Sequence, residues 1–208
     1  MAKKMNVNPN RMELNRLKKR HAVAKRGHKL LKDKQDALIK AFLARAKAVR
    51  KEREEIEAEL AECYKSFLLA RAQTLPAMLE QALMISGTSV KLDVSYKNVM
   101  SVMVPEYSAT REGSALNYGL ANSPGSLDVA LERFSRLIPR LISLSAEEKG
   151  LRLMAVEIER TRRRVNALEH VLIPSFKETI GYITMKLDEQ ERSNLSRLMR
   201  IKEIVRSH

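Results

Sequence analysis

Residues 14–67 contain no proline and a single glycine, Gly27, and this uninterrupted stretch dictates most of what the chain can become. Apolar residues recur at Leu14, Leu17, Ala24, Leu31, Leu38 and Phe42, then at Val49, Ile56, Leu60, Cys63 and Phe67. Steps of three, four and seven keep such residues on one side of an α-helix. Pro9 and Asn10 form a plausible N-terminal boundary. About sixty helical residues at ~1.5 Å each reach ~90 Å, roughly three times the diameter of a small domain. A helix of that length needs a partner to cover its apolar stripe.

A matching stripe lies in the same chain. Leu151, Met154, Ile158, Val165, Leu168 and Leu172 are followed by Phe176, Ile180, Ile183 and Leu187. The stripe steps sideways by one residue around Pro174, where the missing backbone donor predicts a kink, read as a fixed bend with a functional hinge as the alternative. Ser145 with Glu148 fits a capping box that would start this second helix. The same segment also fits the inside of one continuous helix from Leu127, despite Pro139 and Gly150.

Between the helices lies the only β-like pattern. Val90, Leu92, Val94 and Tyr96 alternate with Lys91, Asp93 and Ser95, the signature of a half-buried strand. A turn at Lys97-Asn98 and a second strand stopped by Pro105 complete a hairpin, which must lean on a helix or another protein. The expected fold is mainly α: a long antiparallel two-helix coiled coil from the N- and C-terminal segments, with a small β-hairpin and loop in the middle. One elongated domain, 1–208, would hold a long N-terminal helix and its extension around Pro76 (11–86), the hairpin (88–105), a loop (106–126) and a C-terminal helical segment (127–205). Aromatic residues are only 4% and Gly and Pro total 13, which excludes a many-stranded all-β fold.

The net charge of +14 is unevenly placed. Residues 1–53 carry 18 Lys or Arg against 4 Asp or Glu, while residues 54–208 carry 21 of each sign. Such a segment seeks an anionic surface: nucleic acid, acidic lipid or an acidic protein face. The alternative is a solvated helix face that only confers solubility. Phe42 is the one aromatic of the basic stretch and sits at core spacing, so no row of stacking platforms for bases accompanies the cations.

Sites of chemistry are not evident. His21 and His28 fall seven apart on one helix face without a carboxylate or thiol to complete a metal set. His170 is adjacent to Glu169, and neighbours on a helix point apart. The sequence lacks a phosphate-binding GxxxxGK[ST] loop, HExxH and GxSxG. Glu52, Glu54, Glu55, Glu57, Glu59 and Glu62 are expected to pair with nearby cations or face solvent. The lone Cys63 forbids an internal disulfide and suits a reducing compartment. No run of eighteen apolar residues occurs, so the chain is expected to be soluble, cytoplasmic and free of membrane insertion, with no cofactor or metal.

Two blocks carry a family resemblance. The first is Arg11-Met12-Glu13-Leu14 with Arg26-Gly27-His28-Lys29-Leu30-Leu31-Lys32-Asp33-Lys34-Gln35-Asp36-Ala37-Leu38. The second is Arg163-Arg164-Val165-Asn166-Ala167-Leu168-Glu169-His170-Val171-Leu172-Ile173-Pro174, continued by Thr179-Ile180-Gly181-Tyr182-Ile183 and by Leu187-Asp188-Glu189-Gln190-Glu191-Arg192. The chain resembles the family of D subunits of the V-type (vacuolar and archaeal-type) rotary ATPases. The likeness extends through the hairpin segment and Tyr118-Gly119-Leu120; Asn10 stands where that family has threonine.

The resemblance implies a non-catalytic rotor shaft of the central stalk. Its antiparallel coiled coil would enter a ring of alternating A and B subunits, where ATP is hydrolysed. The F subunit would bind alongside, and the lower end would meet the membrane rotor through a socket subunit, placing the chain peripherally on the cytoplasmic side. The expected ring-facing residues are Arg16, Lys18, Lys19, Arg20, Lys25, Arg26 and Lys29, with Arg160, Arg162, Arg163 and Arg164 on the opposing helix. The competing reading is a basic coiled coil that binds nucleic acid or bridges other proteins.

Overall fold

The computed structural model describes residues 5–84, 87–114, 117, 119 and 124–207. Among these described residues, four helices and one hairpin follow in the order α1 (Arg11–Gln73), α2 (Pro76–Met84), β1 (Thr88–Val99), β2 (Val102–Gly113), α3 (Gly125–Ala167), a π-turn (Leu168–Leu172) and α4 (Ile173–Ser207). The expected mainly helical fold, with long N- and C-terminal helices around a two-stranded antiparallel hairpin, is what forms. Asn10 starts α1: its side-chain oxygen accepts from the Glu13 N–H at 2.6 Å and its carbonyl from Leu14 at 3.0 Å. These bonds satisfy amides that the first helical turn leaves without partners. Pro76 sits at the first position of α2, where a missing N–H does no harm.

The chain divides into two compact units, one of Met1–Ala37 with Ile158–His208 and one of Leu38–Glu157. In the first, the beginning of α1 packs antiparallel on α4 around Leu17, Phe176 and Ile183, with Leu14, Ala24, Ile180 and Leu187 against them. Arg11 pairs with Glu191 and His28 meets Glu169, so rising numbers on α1 oppose falling numbers on its partner. The π-turn absorbs the sideways step of the apolar stripe. Its last N–H, from Ile173, reaches back five residues to the Leu168 carbonyl, and Pro174 follows as the second residue of α4. Thr161, Ser175 and Thr179 are also buried on this side. Their polarity hid Ser175 and Thr179 from an apolar pattern; the Ser175 hydroxyl donates to the Leu172 carbonyl at 3.1 Å and Thr179 to Ser175 at 2.7 Å.

In the second unit, α1 packs antiparallel on α3 through Val49, Ile56, Cys63, Leu137 and Leu144. Ala70, Leu79 and Leu127 gather α2 onto the same pair. The continuous reading of the C-terminal segment is the correct one: α3 runs unbroken past Pro139 and Gly150. Ser145 caps nothing, and its hydroxyl donates to the Ile142 carbonyl inside the helix.

The hairpin differs from expectation in three ways. Its turn lies at Met100-Ser101, both with positive φ (53° and 70°), and not at Lys97-Asn98. Two left-handed residues give the turn whose twist matches a hairpin. The Asn98 side chain accepts from the Ser101 N–H at 2.9 Å, holding a turn that carries no glycine. Pro105 does not stop β2, which runs on to Gly113, so 106–113 is strand and α3 begins at Gly125. Counting three pairs from the bonded pair Val99–Val102 places Tyr96–Pro105 at a non-bonded position. There the absent N–H takes no bond from the ladder. Within the expected loop, 115, 116, 118 and 120–123 lie outside the described residues, as does most of Tyr118-Gly119-Leu120.

The third difference is burial. The alternating face of β1 is exposed, with Val90 at 41%, Leu92 at 50%, Val94 at 47% and Tyr96 at 64%. The hairpin instead buries Val102 and Val104. Val104 rests on Gly150 of α3, where an added Cβ would stand 2.6 Å from its Cγ1. Gly150→Ala is therefore expected to lower stability, because a clash of about 1–3 kcal/mol outweighs the ~1 kcal/mol gain in helix propensity. In a urea-denaturation cycle with Val104→Ala, the double variant should be more stable than the sum of the singles by about 1 kcal/mol.

Burial also controls Cys63, which is 5% exposed. Desolvation raises its thiol pKa above the ordinary value, leaving little thiolate. Labelling of the folded chain by a thiol reagent at neutral pH should be at least about tenfold slower than in urea, where the thiol is free.

Candidate partner interface

Charge separates the two units. The first holds 23 Lys or Arg and 10 Asp or Glu, a net of +13, and the second 16 against 15. The reason is local pairing. The acids of residues 52–62 meet cations one turn away: Arg50 with Glu54 at 3.0 Å, Arg53 with Glu57 at 2.8 Å and Lys65 with Glu62 at 2.6 Å. They also tie α1 to α3, through Arg140 to Glu55 and Glu59 and through Arg53 to Glu148 at 3.0 Å. The Lys65 hydrogen bond and charge hold the Glu62 carboxyl below its ordinary pKa. That pair thus favours the fold above the carboxylate range and loses its effect as pH falls through it.

In the first unit such compensation is sparse. All eleven expected ring-facing residues are exposed. Arg16 pairs with Glu13 at 3.5 Å and Arg163 with Glu159, one turn away. Among the described residues, no acidic side chain lies within 4 Å of Lys18, Lys19, Arg20, Lys25, Arg26, Lys29, Arg160, Arg162 or Arg164. The set is not one cluster. With His28 on Glu169 and Arg11 on Glu191, the arginine run stands level with α1 beyond Lys29, whereas Arg16, Lys18, Lys19 and Arg20 oppose α4. Two cationic stretches result, joined by Lys25, Arg26 and Lys29.

Glu169 reaches His28 across the seam at 3.2 Å instead of serving its neighbour His170. Among the described residues, no three His, Cys, Asp or Glu side chains gather as a metal set. A cavity of about 270 Å³ in the second unit is lined by apolar side chains, among them Leu60, Phe67, Leu83, Leu131 and Phe134, with Cys63 in its wall. No helix among the described residues is long and apolar enough to cross a membrane.

A surface missed by reading the core stripes lies at the end of α4. Residues 188–206 are all exposed, yet they include Leu195, Leu198, Met199 and Ile201 at 56–66% exposure. Helix α1 begins at Arg11, beside Glu191, and the preceding segment turns back so that the Met5 N–H donates to Thr179 at 3.1 Å. The signal was present: Leu198 and Ile201 continue the spacing of Phe176, Ile180, Ile183 and Leu187 beyond the reach of α1.

Residues 13–203 match the family model of the ATP synthase D subunit. The V-type ATP synthase D subunit of Thermoanaerobacter sp. (strain X514) is 52% identical over 203 residues, 97% of each chain. That of Clostridium botulinum (strain ATCC 19397 / Type A) is 48% identical over 207 residues, covering 97% of this chain and 96% of the relative. With its long helices, central hairpin and near full-length identity of about one residue in two, the chain belongs to the family of V-type ATP synthase D subunits.

Proposed function

We propose that this chain is the non-catalytic central rotor shaft of a V-type ATP synthase, coupling ATP turnover in the A–B ring to rotation of the membrane rotor. Family membership supports the complex, and the +13 charge of the first unit, in which only Arg16 and Arg163 of the two cationic stretches pair with a carboxylate, is the observation that carries the role. Exposed cations attract acidic loops at long range and in many orientations, and they make few directional bonds that a turning contact must break. The F subunit and the socket subunit are the further partners, and the assembly sits peripherally on the cytoplasmic face.

The exposed end of α4 fits the same role. Leu198 and Ile201 continue a core stripe that no helix among the described residues covers, so an apolar face of the ring would complete it. Replacing Leu198 and Ile201 by Asp should leave the melting temperature of the isolated chain within about 2 °C, since exposed positions contribute little. Its affinity for an assembled A–B ring should fall at least about tenfold in mass photometry, the effect of losing one buried apolar anchor.

Changing Arg160, Arg162, Arg163 and Arg164 together to Gln should preserve the far-ultraviolet circular dichroism and weaken ATP-driven rotation in a single-molecule assay. Unchanged rotation would defeat the electrostatic contact. A chain that ignores the ring and instead binds nucleic acid with a steep salt dependence would establish the competing reading.

A further inference from the structure

Full burial lapses on both helices of the first unit at one level, where Ala24, Leu31 and Leu168 are only half-buried. No α1 residue is buried from 18 to 37, and none of the facing helix from 166 to 174. The two stretches are opposite each other, because His28 Nε2 meets Glu169 Oε2 at 3.2 Å. Buried groups resume on each side, at Leu17 with Phe176 and Ile183, and at Thr161 and Val165.

Three backbone weaknesses coincide with that lapse. Gly27 is the only glycine in 63 helical residues, and an added Cβ would meet nothing within 4 Å. No close approach therefore demands it, and it leaves the helix about fivefold less favoured than alanine would. Across the seam, residues 168–172 form a π-turn closed by the Ile173 N–H on the Leu168 carbonyl, with no buried side chain. A π-turn widens the helix and breaks its regular ladder. Pro174 then withholds one more donor from the same turns.

We infer that residues 21–31 of α1 and 166–174 of the facing helix form a flexible joint, which opens and re-forms while the seams on either side stay packed. Local opening requires few buried contacts and weakened backbone bonds, and both are concentrated here. The joint gives the two-helix segment a defined place to bend or twist. This rests on packing and backbone geometry, and it holds whether or not the chain turns inside a ring.

Hydrogen exchange by mass spectrometry on the full chain tests it. Peptides covering 21–31 and 166–174 should exchange at least about tenfold faster than the peptide covering 176–187. Gly27→Ala should slow exchange in both joint peptides about fivefold, leaving the hairpin peptide 88–113 unchanged. Deleting Val171 should turn the π-turn into ordinary helix and slow exchange across 166–174. Joint peptides protected as well as 176–187 would overturn the inference, and so would faster exchange in either variant. If a variant fails to fold, the unmodified chain still decides the matter through its own peptide comparison.

Discussion

A 63-residue helix cannot leave its apolar stripe in water, and the rest of the molecule answers that constraint. Helix propensity alone does not hold such a length together; burial of one face does. The cover comes from two successive partners, α4 for the beginning of α1 and α3 for its remainder, both running antiparallel to it. Helix α2 adds Leu79 where Ala70 and Leu127 meet. The hairpin leans on α3 through Val104, because two strands by themselves are marginal in water.

The polar surface follows a different logic in each unit. Along residues 50–65 the acids and bases alternate at one-turn spacing and satisfy one another, then reach across to Arg140 and Glu148 of α3. Each exposed pair is worth little in stability, but together they neutralise that surface. The beginning of α1 and its partner have no such supply of carboxylates. Their field extends about one Debye length, near 8 Å at physiological salt, so it is felt before contact and weakened by salt.

The stripe of α1 could be read directly, since Leu17, Leu38, Val49, Ile56 and Cys63 are all buried as their spacing requires. Met154, Val165, Phe176 and Ile183 were equally legible on the other side. Ser175 and Thr179 were not, because a hydroxyl bonded to its own helix can fill a seam position that pattern reading reserves for apolar groups. The hairpin misled in two ways: Asn98 serves the turn by its side chain without occupying it, and Pro105 falls at a pair that needs no donor. The exposed face of β1 shows that alternation identifies a strand without saying which strand is covered. The cationic residues were legible as a set. Their division into two stretches was not, because it depends on the pairing register set by Arg11–Glu191 and His28–Glu169.

Gly150 has a consequence for position along α3. It is the residue under Val104, and the residues one turn away on either side, Ala146 and Met154, both carry a Cβ. A hairpin displaced by a turn would set Val104 against one of those side chains, so the missing Cβ acts as a detent with one seat. The exposed row Val90, Leu92, Val94 and Tyr96 is thereby presented at a single height along α3, indexed by the smallest residue in the chain.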